Sequence, residues 1–216
     1  MKIRLFIADD HELVRDGIRS LIDRNEDMEI VGEAKDGYET VERVKDLTPD
    51  IVIMDIGMPN LNGIEATRKI MSRQSGIRVI ALSMHNGKEF VTEALKAGVS
   101  AYLLKDCAFE ELEKAIRTVY NGNTYLGLEI TDVVVQDLVQ GGINETSAYD
   151  ILTNREREVL QLLAEGKSTK EIAYMLNRSV KTIDTHRYNI IKKLGLDSFA
   201  DLIKYAVKQG ITTLDN

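Results

Sequence analysis

In the first 121 residues, short apolar runs rich in β-branched side chains alternate with stretches whose apolar positions recur at helical spacing. Residues 3–8, 29–34, 51–54, 78–83 and 101–104 read as strands. Between them, amphipathic helices are marked by Leu13, Ile18, Leu21 and Ile22, by Val41 and Val44, by Val91, Ala94 and Leu95, and by Leu112, Ala115, Ile116 and Val119. Strands that are apolar nearly throughout belong in a parallel sheet covered on both faces. Five such βα units predict an α/β doubly wound domain with a five-stranded parallel sheet. The flavodoxin-like strand order is 2-1-3-4-5.

The pattern then changes. Residues 127–140 read as one further helix, with Val133, Val134, Leu138 and Val139 apolar, whereas 141–147 have no periodicity and open with two adjacent glycines, the mark of a flexible linker. Four short helical patterns follow. Thr153 with Glu156, and Ser168 with Glu171, form capping boxes; Ser179 caps a helix running to Leu194 before Gly195, and Ser198 opens the last. The predicted organisation is therefore an α/β domain over 1–121, a linker helix and flexible linker over 122–150, and a small all-α domain over 151–216.

Composition sharpens the division. The chain has 216 residues, 44% hydrophobic and 29% charged, with a net charge of −7. Its longest apolar runs fall far short of the roughly 20 residues that span a bilayer. The start lacks a signal-peptide pattern, so a soluble protein of the cytoplasm is expected. Cys107 is the single cysteine, which excludes an internal disulfide, and no Cys/His cluster has zinc spacing. Split by segment, the net charge is −5 over 1–121, −5 over 122–150 and +3 over 151–216. An acidic front and a basic tail imply different partners.

In a sheet of order 2-1-3-4-5, the ends of strands one and three meet at the switch point where such folds bind ligands. Those ends carry Asp9-Asp10 and Asp55, while strands four and five end at Ser83 and Lys105. Any one of these residues alone would ordinarily be a helix cap or a strand-end polar group. Together they converge three carboxylates, a hydroxyl and an ammonium on one crevice. The carboxylates repel unless a hard divalent cation joins them, and Mg²⁺, which takes carboxylate, phosphate and water oxygens, suits the set. The matching chemistry is phosphoryl transfer to a carboxylate. Asp55, the lone acid at its strand end, is the expected nucleophile.

Asp9-Asp10, the run Asp55-Ile56-Gly57-Met58-Pro59 with Asn62-Gly63 beyond it, Ser83 and Leu104-Lys105 resemble the receiver domain of bacterial two-component response regulators over 1–121. The resemblance implies that Asp55 takes a phosphoryl group from a sensor histidine kinase. It implies that Mg²⁺ is held by Asp10, Asp55 and the Gly57 carbonyl, with Asp9 acting through water, and that Lys105 pairs with the phosphate. Ser83 would turn toward the phosphate, and Tyr102 would rotate into the space it vacates. His85 is expected to be a surface loop histidine.

The tail motifs Leu152-Thr153-Asn154-Arg155-Glu156, Lys170-Glu171-Ile172-Ala173, Val180-Lys181-Thr182-Ile183 and Lys192-Lys193-Leu194-Gly195 resemble the LuxR-type helix-turn-helix. The whole chain is thus similar to response regulators of the NarL/FixJ type. Helices 168–176 and 180–194 form a scaffold and recognition pair. Ile183, Ile190, Ile191 and Leu194 point inward, while Lys181, Asp184, Thr185, Tyr188 and Lys192 share an outer face. Lys181, Lys192 and Lys193 are expected at phosphates, Asp184, Thr185 and Tyr188 at base edges, Thr182 at a phosphate by the helix start, and His186 on the flank. The resemblance makes Leu202, Ile203, Tyr205 and Ala206 the DNA-domain dimer surface. Expected partners are the kinase, promoter DNA, a second copy and RNA polymerase.

The expected function is a phosphorylation-switched transcription regulator. It is not an enzyme apart from Mg²⁺-dependent gain and loss of its own phosphoryl group. Two alternatives compete. An aspartyl-phosphate hydrolase would carry a second acid two residues beyond the nucleophile, where this chain has Gly57. A protein-interaction adaptor would bind its partner without the steep salt dependence of DNA binding.

Overall fold

The computed structural model describes residues 2–73, 76–139, 151–209 and 211–212. The chain forms two compact units, Met1–Ile143 and Asn144–Asn216. In the first, strands β1 (Ile3–Ala8), β2 (Met28–Ala34), β3 (Ile51–Asp55), β4 (Arg78–Ser83), β5 (Ala101–Leu104) and β6 (Tyr125–Leu126) form one sheet of order β2-β1-β3-β4-β5-β6. Every pairing is parallel. Helices α1 (Glu12–Ile22), α2 (Gly37–Leu47), α3 (Gly63–Arg73), α4 (Lys88–Ala97) and α5 (Ala108–Tyr120) follow the first five strands.

Side-chain alternation along the strands builds two core layers. Ile3, Leu5, Ile7, Ile51, Ile53, Ile80 and Leu82 join Ile18 and Ile22 of α1 and Leu112, Ile116 and Val119 of α5 in one buried cluster. The intervening positions Phe6, Val52 and Met54 are equally buried on the other face. There Arg43 of α2 lies over the Phe6 ring. Because all strands run the same way, their C-terminal ends gather at one edge. Ala8 pairs with Met54 and Ser83 with Leu104, so Asp9, Asp55, Ser83 and Lys105 arrive there side by side.

The sheet has one strand more than the sequence pattern predicts. Tyr125-Leu126 pairs with Ala101 and Tyr102. Two residues are too few to show a strand period. The following helix, α6 (Leu128–Val139), packs against α4. The expected flexible linker at 141–147 lies outside the described residues.

The loop after β3 is shaped by backbone bonds. The Ile56 N–H donates to the Leu82 carbonyl at 2.9 Å, and the Gly63 N–H to the Ile56 carbonyl at 3.0 Å. A side chain on Gly63 would bring its Cβ to 2.1 Å from the Asp55 carbonyl oxygen, so only glycine allows this approach.

The second unit holds α7 (Asn154–Ala164), α8 (Thr169–Met175), α9 (Val180–Leu194) and α10 (Phe199–Lys208). The capping boxes expected at Thr153 and Ser168 are both formed, and Ser179 and Ser198 accept from the Thr182 and Asp201 N–H groups. Gly195 ends α9 in the left-handed region with φ of 63°. Between α8 and α9, Asn177 takes φ of 47°, a conformation asparagine tolerates better than most residues. The core of this unit is Val159, Leu160, Leu163, Ile172, Ile183, Ile190 and Leu202. Among the described residues, no helix is long and apolar enough to cross a membrane.

Gly63→Ala is expected to lower stability by at least about 2 kcal/mol through forced backbone displacement beneath Asp55. Gly76 has nothing within 4 Å of an added Cβ, so Gly76→Ala should stay within about 0.5 kcal/mol of the parent. Urea unfolding of both variants checks this.

Candidate functional site

Lys105 begins the single 3-10 turn that follows β5, and its ammonium reaches back across the sheet edge. Its Nζ lies 2.8 Å from Asp9 Oδ2 and 2.8 Å from Asp55 Oδ2. The second Asp55 oxygen accepts from the Gly57 N–H at 2.9 Å. Asp9, Asp55 and Ser83 are buried. Burial, followed by the nearby Asp9 charge, pushes the Asp55 carboxyl up to about 6 against the opposing pull of Lys105 and the Gly57 N–H. Burial also works against the Lys105 ammonium, but Asp55 and Asp9 outweigh it and hold the group above its ordinary value.

Two features lie outside the sequence reading. His11 places Nδ1 3.0 Å from Asp10 Oδ1 and 3.2 Å from Asp9 Oδ1. Arg15 is buried in α1, and its guanidinium donates to the Asp9 carbonyl at 2.8 Å. Both left signals. The histidine directly follows the acid pair, and the arginine stands three and seven residues before Ile18 and Ile22, on the apolar stripe of its helix.

The donor set fits a hard divalent cation. Three carboxylates face one lysine, leaving an excess of negative charge. The buried oxygens Asp9 Oδ2 and Asp10 Oδ1 accept no hydrogen bond among the described residues and have only charge contacts with Lys105 and His11. One ligand atom from each of Asp9, Asp10, His11 and Asp55 lies within 4.8 Å of the others.

Toward α4, the Ser83 Oγ accepts from the His85 N–H at 3.0 Å, and the His85 carbonyl accepts from the Tyr102 hydroxyl at 2.8 Å. Tyr102 is fully buried. Burial pushes its hydroxyl up to about 12. The half-buried His85 ring stacks on Phe90, with centroids 4.5 Å apart.

In the helical unit, Lys181, Asp184, Thr185, Tyr188 and Lys192 are exposed, while Ile183 and Ile190 are buried and Ile191, Leu194, Thr182 and His186 are intermediate. Arg178 and Arg187 add exposed positive charge that the sequence reading passed over. Lys193 differs from its neighbours, because its Nζ lies 2.7 Å from Glu156 in the capping box of α7. Burial opposes ionisation of Glu156, yet the bonds from Lys193 and Thr153 prevail and hold its carboxyl below the usual range. Leu202 and Ala206 are fully buried where α10 packs on α7, so Ile203 and Tyr205 supply what surface the expected dimer patch offers.

Comparison with known proteins follows the same division. The family described as "Response regulator receiver domain" matches residues 5–117, and "Bacterial regulatory proteins, luxR family" matches 150–206. The chain is 39% identical over 212 residues to the "Oxygen regulatory protein NreC" of Staphylococcus aureus strain JH9, covering 96% of this chain and 98% of that protein. A structure of RcsB from Salmonella enterica serovar Typhimurium, bound to promoter P1flhDC in the presence of the phosphomimetic BeF3−, aligns with a TM-score of 0.63. It is 28% identical, covering 98% of this chain and 100% of that one. RcsB is also described as dimers bound to DNA, in a structure with a TM-score of 0.59 and 28% identity that covers 95% of this chain and 98% of that one.

Because folding raises the Asp55 pKa, its burial carries no penalty below the unfolded value and destabilises increasingly as pH rises through about 6. In metal-free buffer, Asp55→Asn should stabilise the protein at pH 7.5 by an amount on the order of 2–3 kcal/mol, shrinking to about a third of that at pH 4.5. Urea unfolding at the two pH values measures it, and an equal gain at both would contradict the assignment.

Proposed function

The chain belongs to the response regulators, joining a receiver domain to a luxR-family DNA-binding domain, and from that premise we propose that Asp55 is its phosphoacceptor and the exposed face of α9 its DNA-reading surface. It is a phosphorylation-switched transcription regulator. The observation that carries the assignment of the acceptor is the Lys105 ammonium held between Asp9 and Asp55 at the sheet edge.

The donor is a phosphohistidine on a sensor kinase. An ionised Asp55 oxygen attacks phosphorus; the new P–O bond forms as the P–N bond breaks, and the bonding pair leaves with the imidazole. Asp10, Asp55 and the Gly57 carbonyl, with Asp9 through water, would hold Mg²⁺, which when bound neutralises charge on the phosphoryl oxygens. Lys105 faces Asp55 Oδ2 and is placed to pair with the transferred group. Gly57 stands where a hydrolase would carry its second acid, so the phosphoryl group is a signal that the chain gains and slowly loses rather than the intermediate of a turnover cycle.

The signal leaves the crevice through Ser83. Its hydroxyl proton can serve the phosphoryl oxygens, and any turn of Ser83 strains the bond from His85 N–H. That same peptide residue holds Tyr102, so loop and aromatic ring respond together. At the output, Lys181 and Lys192 flank Thr185 and Tyr188, positive charge for phosphates around groups that reach base edges. Two copies on half-sites about one helical turn apart would place both recognition helices on one DNA face.

With a small acyl phosphate and Mg²⁺, labelling should stop near one equivalent per chain and vanish in Asp55→Asn. Full labelling of that variant would overturn the assignment. On promoter DNA, Lys192→Ala should weaken binding to all sequences and reduce the magnitude of the salt slope by about one per copy, whereas Tyr188→Ala should relax sequence preference. BeF3− with Mg²⁺ should tighten DNA binding by roughly 5- to 150-fold. Titrations at several salt concentrations read both effects.

A further inference from the structure

We propose that His11 is a nitrogen ligand of the cation site, and that it turns the ion preference of the crevice from Mg²⁺ toward Mn²⁺ and related transition ions. The proposal rests on reading the crevice as a cation site and concerns what that site selects.

His11 occupies the position just before α1, where Ser, Thr, Asp or Asn ordinarily caps the helix. Its side chain makes no capping hydrogen bond. Instead, the backbone N–H donates to Asp9 Oδ1 at 2.8 Å, which fixes the residue against the acid pair, and the ring turns Nδ1 inward over both carboxylates. The side chain is 62% exposed, so no packing requires that orientation. Opposite ligands on bonds of about 2.1 Å stand about 4.2 Å apart. The ligand atoms of Asp9, Asp10, His11 and Asp55 all lie within 4.8 Å of one another, a span that small rotations of Asp10, His11 and Asp55 close onto one ion with Asp9 left to act through water. An oxygen-only site suits Mg²⁺, a hard ion that dehydrates reluctantly, whereas one imidazole among carboxylates favours the first-row transition ions.

A second role is open to the same geometry. The imidazole could act only as a charge partner for Asp9 and Asp10, in which case it would alter the binding of all divalent ions alike. The ratio of two affinities separates the roles. Mg²⁺ and Mn²⁺ dissociation constants are measured by calorimetry on the full chain at pH 8, where a ligating imidazole is free of its proton. The variants are His11→Ala and His11→Gln, both at an exposed position. The ratio of the Mg²⁺ to the Mn²⁺ constant is expected to fall by about tenfold in both variants. Pulsed electron paramagnetic resonance of the Mn²⁺-loaded parent should show coupling to ¹⁴N of a directly bound imidazole, absent in both variants.

A ratio unchanged within about twofold, a uniform change for both ions, or no such coupling in the parent would overturn the proposal. Failure of both ions to bind the parent protein would overturn the underlying cation-site reading as well, a result that the ratio alone cannot produce.

Discussion

Lys105 Nζ at 2.8 Å from both Asp9 and Asp55 is the contact on which the rest of the receiver depends. Three charged groups meet at the rim of a buried sheet, where water screens them poorly. One ammonium cannot satisfy three carboxylates. Burial, and after it the neighbouring Asp9 charge, pushes Asp55 toward its protonated form, and oxygens of Asp9 and Asp10 are left with charge contacts alone. The crevice is thus held together and under-compensated at once. A group that brings positive charge relieves it, and a transferred phosphoryl group redistributes it, so small chemical events there have large local consequences.

Those consequences are confined by how the crevice is built. Arg15 anchors the Asp9 carbonyl from below, and Gly63 lets the loop after β3 close onto the Asp55 carbonyl, so the acidic side of the site is stiff. The opposite side differs. Ser83, His85 and Tyr102 are linked by hydrogen bonds across the loop that enters α4. Helix α4 is itself tied to α3 through the buried Glu93, which meets Arg68 at 2.6 Å and Lys96 at 2.7 Å. In the proposed reading, coupling between Asp55 and α4 runs through that opposite side. Such coupling is a bias, typically about 1–3 kcal/mol.

Much of this was legible in the sequence because it follows from periodicity and from topology. Near-continuous apolar strands placed the sheet, and strand order alone brought Asp9, Asp55, Ser83 and Lys105 to one edge. Capping pairs such as Thr153 with Glu156 marked helix starts because the chemistry is local. What escaped depends on tertiary context. Tyr125-Leu126 has no period of its own and is a strand only because β5 offers an edge. Arg15 reads as a surface charge until Asp9's carbonyl is seen above it. Lys193 and Lys192 are indistinguishable in sequence, yet one meets Glu156 of another helix and the other meets solvent.

That last distinction bears on how the helical unit engages DNA. With Lys193 committed to Glu156, the positive charge that α9 and its preceding turn present comes from Arg178, Lys181, Arg187 and Lys192. Asp184 on the same face opposes it. A single copy can therefore neutralise only a few phosphates, and affinity grows with the number neutralised. Two copies on adjoining half-sites double that number and add base contacts without any change inside either unit. In the proposed reading, a shift of about 1–3 kcal/mol in the readiness to pair two units would change occupancy by about 5- to 150-fold. A strongly basic unit would hold DNA in either state. The restrained charge of this one, with Lys193 paired to Glu156, suits an output that depends on the receiver.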